Sequence, residues 1–216
     1  MKYSYSGISQ FKQCPRKFKA KYVDYTYTEP KSEQQNWGIK VHAHLEARFK
    51  EGTPLPPEIA AFTPIIDTLA AAPGQIYVEQ KLAMDDQFRP VDYKDRTAHV
   101  RTIIDVTKIN NDRAFIGDYK TGKIKYEYDQ LALSSVILMV NYPEITSALG
   151  MFFWSKVGRR TSKEYSKMDL NKTWLPFGAD IHRIEQALSS DNFPPKPTPL
   201  CGWCHLRTCE HWNPHD

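Results

Sequence analysis

Asp105, Asp118 and Lys120 are the residues whose types and spacing best suit chemistry. They lie on two runs of β-branched and aromatic residues, Val100 to Ile109 and Ala114 to Lys120, separated by Asn110, Asn111, Asp112 and Arg113. That composition punctuates a hairpin. Symmetry about Asn111 and Asp112 sets Asp105 opposite Asp118, and the two-residue alternation of a strand puts Lys120 on the face of Asp118. Opposed carboxylates repel, and beside Ile104, Val106 and Ile116 that repulsion is poorly screened. A hard divalent cation offsets it. Mg²⁺ takes one or two carboxylates plus water and phosphate oxygens, and such an ion orients an attacking water and neutralises charge on a phosphate. The bland alternative is a solvated hairpin whose aspartates and lysine face water.

The four cysteines form a second set: Cys14 near the start, then Cys201, Cys204 and Cys209 near the end. No export signal opens the sequence, so a reducing, intracellular, cytoplasmic setting is expected, in which thiols bind metal rather than pair as disulfides. By spacing alone, Cys201-x2-Cys204-x4-Cys209 with His205 and His211 completes a tetrahedral zinc site. Cysteine thiolates are equally the usual ligands of iron–sulfur clusters.

Elements must position these groups. Residues 6–22 read as helix, break at Pro15, and helix, with Ile8, Phe11, Phe18 and Tyr22 at helical intervals. Trp37, Val41, Leu45 and Phe49 recur every four residues and predict a helix over 34–50 with His42 and Glu46 on one flank. One further helix is expected over 57–71, a strand over 75–82, an apolar helix over 127–141, a buried strand over 148–157 ending in a Gly158-Arg159-Arg160 turn, and an amphipathic helix over 179–188. Residues 191–200 carry four prolines and lead to the Cys/His/Trp-rich end.

Composition bounds the rest. The 216 residues, 41% hydrophobic, suffice for one sizeable core, and 29 basic against 25 acidic residues leave +4, which permits nucleic-acid binding without demonstrating it. The longest apolar stretches, near Leu131 to Val140, are well short of the ~18 residues of a membrane span, so no membrane partner is expected.

The segment Gly117-Asp118-Tyr119-Lys120-Thr121-Gly122-Lys123 resembles the third motif of RecB-like nucleases in the PD-(D/E)XK superfamily, and Ile103-Ile104-Asp105 resembles their second. Gly38, His42, Leu45 and Glu46 match that family's helix ahead of the carboxylates, Glu79 its first-strand glutamate, and Gln130 the glutamine after the lysine. The opening Ser6 to Phe18, with Cys14-Pro15, is similar to the iron–sulfur branch that includes AddB-type and CRISPR-associated exonucleases.

The resemblance implies an α/β, restriction-endonuclease-like core with a mixed central sheet flanked by helices. It implies a single nuclease domain over 1–216, with 34–190 as core and 1–22 joined to 191–216 around a metal cluster. The implied activity is Mg- or Mn-dependent DNA exonuclease cleavage in repair or recombination, alongside recombination or replication partner proteins. Asp105, Asp118 and Lys120 would be catalytic, with His42, Asp105 and Asp118 as metal ligands. Glu46, Glu79 and Gln130 would be accessory, and Cys14, Cys201, Cys204 and Cys209 would hold a structural [4Fe-4S] cluster. Two positions depart from the pattern: Ser134 stands where a tyrosine is common, and Thr102 where a glycine is.

Two other functions compete. Gly117-x4-Gly122-Lys123 nearly spells a P-loop, but Ile124 replaces the required Ser or Thr and Asp118 would repel phosphate. A non-catalytic nucleic-acid-binding module with a structural zinc site would use Arg159, Arg160 and the amino-terminal lysines on phosphate. Such a module leaves Asp105, Asp118 and Lys120 without a task.

Overall fold

A computed structural model describes residues 1–30 and 32–213, apart from the side chain of Gln34, so the last three residues of the expected cluster region lie outside the description. The chain divides into two compact units. One comprises Met1–Lys2 and Ser32–Trp174; the other runs from Tyr3 to the segment before Ser32 and resumes at Leu175.

The first unit is built on a six-stranded mixed sheet. Its strands are β1 (Gln75–Met84), β2 (Pro90–Val91), β3 (Val100–Asn110), β4 (Arg113–Lys120), β5 (Ser147–Trp154) and β6 (Arg159–Ser166), in the order β2-β1-β3-β4-β5-β6. Only β4 and β5 run parallel. A parallel step needs a crossover, which α5 (Asp129–Asn141) supplies. Its residues Leu131 and Leu133 to Met139 are buried, and it lies against β1, β3 and β5. Gly150 shows how close it comes: a Cβ there would meet Leu131 at 3.1 Å and Tyr165 at 3.0 Å.

Alternation turns the intervening side chains the other way. Val106, Tyr119 and Phe153 form a core with Val41 and Leu45 of α3 (Glu33–Glu51), Ile59 and Phe62 of a 3-10 helix (Pro57–Phe62), and Ile66 of α4 (Thr63–Ala71). The start of α3 is fixed by a capping box, Ser32 accepting from Gln35 N while Gln35 Oε1 accepts from Ser32 N. Gly52, with φ 71°, ends it.

The helix expected over 57–71 is two pieces, because Pro64 has no N–H to extend an α-helical ladder back through residue 60. The strand expected over 148–157 stops at Trp154, and a single 3-10 turn carries the chain through Gly158, φ 57°, into β6. The second unit contains α1 (Tyr5–Gln13) and α2 (Pro15–Tyr22), with Pro15 at the first position of α2. The helix expected over 179–188 is longer, α6 (Leu170–Ser190), and tolerates Pro176 inside it; the unit boundary falls within it. No helix among the described residues is long and apolar enough to cross a membrane.

Candidate active site

The hairpin of β3 and β4 turns at Asn111, whose φ is 53°, and pairs from Asn110↔Arg113 to Val106↔Gly117. The rung that would follow is Asp105 with Asp118. There the ladder opens, and Asp105 itself fills the gap: its Oδ2 accepts a hydrogen bond from Tyr119 N at 2.8 Å. The ladder between β1 and β3 skips the same place, pairing Val78↔Val106 and Gln80↔Ile104 but not Glu79 with Asp105. Glu79 has φ 51°, a left-handed backbone that costs a non-glycine residue about 1–3 kcal/mol. Two interruptions thus bring two carboxylates to one opening midway along β1 and β3.

His42, on α3, closes this opening. Its Nδ1 lies 3.3 Å from Asp105 Oδ1 and its Nε2 3.1 Å from the carbonyl oxygen of Tyr119. Both neighbours are acceptors, so the doubly protonated ring satisfies both. Burial disfavours that charge, but the Asp105 hydrogen bond, the charges of Asp105 and Asp118 and the Tyr119 carbonyl outweigh it and raise the pKa to about 9. One ligand atom each from His42, Glu79 and Asp105 lie within 4.8 Å of one another. Burial, then the Asp105 charge, push the Glu79 carboxyl above the usual range. A cluster of like charges on strained backbone fits a divalent cation, which would relieve both the repulsion and the desolvation.

Asp118 and Lys120 form the adjoining half. Asp118 Oδ2 is buried and lies 2.6 Å from Lys120 Nζ as an ion pair, though without an aligned hydrogen bond. Gln130, in the first turn of α5, joins them: its Nε2 donates to Asp118 Oδ1, and its Oε1 accepts from Lys120 Nζ at 2.7 Å. Burial and the Asp105 charge push Asp118 up to about 6, against the pull of Lys120 and His42. Lys120 Nζ also stands 5.0 Å over the Phe152 ring. Glu46 sits one turn beyond His42 but pairs with Lys50 on the same helix.

The residues singled out in the sequence therefore fall into two linked sets. His42, Glu79 and Asp105 make the tight trio, while Asp118, Lys120 and Gln130 make the neighbouring one. Glu79's unusual backbone carried no signal in composition or periodicity. Thr102 and Ser134, which depart from the family pattern, meet each other, their hydroxyls 2.9 Å apart.

In the second unit Cys14, Cys201, Cys204 and Cys209 are free thiols, all half-buried. Cys204 and Cys209 pack on Ala20, Tyr27 and Leu206. Cys14 lies at the junction of α1 and α2, and Cys201 Sγ accepts from Thr198 N at 3.3 Å. Burial raises the Cys209 thiol above its ordinary value. Among the described residues, the His, Cys, Asp and Glu side chains that gather in threes within 4.8 Å are His42, Glu79 and Asp105, and no such group includes a cysteine.

Among curated proteins none matches the sequence. Eighteen chains of solved structures match the chain, and two of them illustrate the shared fold. One, from Eubacterium rectale and described as a candidate exonuclease, has a TM-score of 0.57 at 15% identity, covering 99% of this chain and 90% of that one. The other, SSO0001, has a TM-score of 0.51 at 13% identity, covering 97% and 85%. The profile of the PD-(D/E)XK nuclease superfamily matches residues 2–209. With nearly the whole chain matched, this protein belongs to the PD-(D/E)XK nuclease superfamily.

Proposed function

We propose that the chain is a Mg- or Mn-dependent deoxyribonuclease that degrades DNA from its ends in repair or recombination, with a structural [4Fe-4S] cluster on Cys14, Cys201, Cys204 and Cys209. The convergence of His42, Glu79 and Asp105 within 4.8 Å, beside the Asp118–Lys120 pair, carries this reading. The description of the Eubacterium rectale neighbour supports the exonuclease mode.

A bound divalent ion would supply Lewis-acid charge at a phosphate oxygen and an acidified water. His42, Asp105 and Asp118, with Glu79, would hold it. The protein's own work is positional and electrostatic. Gln130 locks Asp118 and Lys120 into one hydrogen-bonded chain, so the ammonium is preorganised where an attacking water and a phosphate oxygen would lie. Asp105 is fixed by Tyr119 N and needs no reorganisation to bind.

The test is degradation of end-labelled single- and double-stranded DNA by the full chain with Mg²⁺, Mn²⁺ or chelator. Metal-dependent shortening from the ends is expected. A folded, metal-supplied protein that binds both DNAs and cuts neither would favour the binding-module alternative.

A further inference from the structure

The sheet face that carries Asp118 and Lys120 also carries a group of aromatic rings. β4 and β5 run parallel with Asp118 paired to Phe152 and Lys120 to Trp154, so alternation turns all four side chains to one face. Phe152 and Trp154 are 2% and 3% exposed. Lys120 Nζ stands over the Phe152 ring, 5.0 Å from its centroid. Tyr128 lies nearly parallel to that ring, 6.0 Å away at 13°, and Trp154 meets it at 5.7 Å and 62°. Both neighbours are anchored in turn. Tyr128 is the N-cap of α5, and its carbonyl accepts from the Tyr165 hydroxyl at 3.1 Å; Trp154 Nε1 donates to Thr161 Oγ1 at 3.0 Å. The plane of the Phe152 ring is thereby fixed.

An ammonium carries three N–H donors. One goes to Gln130 Oε1. Asp118 Oδ2 attracts the charge at 2.6 Å without an aligned hydrogen bond, and Coulomb attraction by itself prescribes distance rather than direction. The ring supplies the missing constraint, because its negative face attracts a cation placed above it. Unlike the Asp118 carboxylate, the ring is not a group that a divalent ion would take as a ligand. An aliphatic side chain would fill this core position without offering that face.

We propose that Phe152 is a positioning residue for cleavage: its ring holds the Lys120 ammonium against Asp118 and Gln130 and leaves an N–H for the attacking water or a phosphate oxygen. This rests on the nuclease reading and deepens it. Phe152 acts through Lys120, touching neither the substrate nor the metal.

The test replaces Phe152 in the full chain with phenylalanine bearing one, two or three ring fluorines, which drain the negative face while keeping the ring's shape. For Mn²⁺-dependent DNA cleavage, log kcat should fall in step with fluorine number, by about twofold to thirtyfold in all, the span of a cation–π interaction. KM and Mn²⁺ affinity should stay at wild-type values. The same series at Phe153, which packs in the core on the opposite face, should leave kcat unchanged. A second readout needs no cleavage. In metal-free protein with ¹³C-labelled lysine ε-carbons, the Lys120 ε-methylene resonance, identified by its loss in Lys120→Arg, should be shifted upfield by the ring and lose that shift in Phe152→Leu. The fluorinated series covers the case in which Phe152→Leu does not fold. A kcat independent of fluorine number, or a Lys120 resonance that Phe152→Leu does not move, would overturn the positioning role while leaving the nuclease intact. Absence of cleavage by the wild-type chain would instead defeat the nuclease reading, and the resonance would then decide whether the ring holds the ammonium.

Discussion

Glu79 holds a left-handed backbone in the middle of a strand, directly where the β1–β3 ladder skips Asp105. Strain of this kind persists where surrounding structure enforces it. Glu79→Gly should therefore raise Tm by about 2–4 °C, for a net gain of about 1 kcal/mol, while weakening Mn²⁺ binding; a fall in Tm would contradict the strain. His42 gives the second residue-scale prediction. Its folded pKa of about 9 exceeds the ~6.5 of an unfolded histidine. With chelator present, its stabilising contribution is fully present below pH ~6.5 and lost as pH rises through about 9. The difference in urea midpoint between wild type and His42→Ala should shrink over that window. Metal binding needs the neutral ring, so Mn²⁺ affinity should climb through the same range. A pH-independent midpoint difference would contradict the Asp105–His42 pairing. Asp105, Asp118 and Lys120 were legible in the sequence because strand alternation maps spacing onto a face. Glu79's conformation was not, since a positive φ in a strand is imposed by tertiary contacts.

Elements explain why the motif glycine precedes Asp118. A Cβ on Gly117 would meet Val106 Cγ1 at 2.6 Å and Phe153 at 2.9 Å, on the last paired rung before the strands part. Gly117→Ala should cost about 1–3 kcal/mol by overpacking and reduce cleavage by shifting its neighbour; an unchanged denaturation midpoint would contradict the close approach. Lys108 shows another device: buried in β3, its Nζ donates to the carbonyls of Leu69 and Ala72, satisfying the end of α4. Lys108→Met should destabilise by about 1–3 kcal/mol through those unmet carbonyls. The hairpin, α3 and α5 were readable because their apolar periodicity is strong. β6 was not, since its residues Arg159 to Glu164 are exposed except for the half-buried Thr161 and show no alternation. The early turns of α6 were hidden because Pro176, which lacks an N–H for the helical ladder, stands inside the helix.

At the scale of the molecule, all four cysteines fall within the second compact unit, although nearly the whole sequence separates the first from the last. The proposed cluster would close that loop, which stabilises mainly by restricting the unfolded chain. Cys201→Ala should lose iron and melt at lower temperature before its metal dependence of cleavage changes; a cluster-free variant melting as wild type would contradict a structural cluster. Spacing in the sequence could not separate zinc from iron–sulfur ligation, because both use thiolates at short intervals. The central claim is that one opening in the sheet divides labour between a metal-holding set and a lysine. Its most direct test is Mn²⁺ binding and DNA cleavage measured side by side for Asp105→Ala and Lys120→Ala. Asp105→Ala should bind Mn²⁺ weakly and cut nothing. Lys120→Ala should bind Mn²⁺ as wild type yet cleave at least about 10² to 10³ times more slowly, the cost of one preorganised electrostatic donor. Wild-type cleavage by either variant would contradict the account.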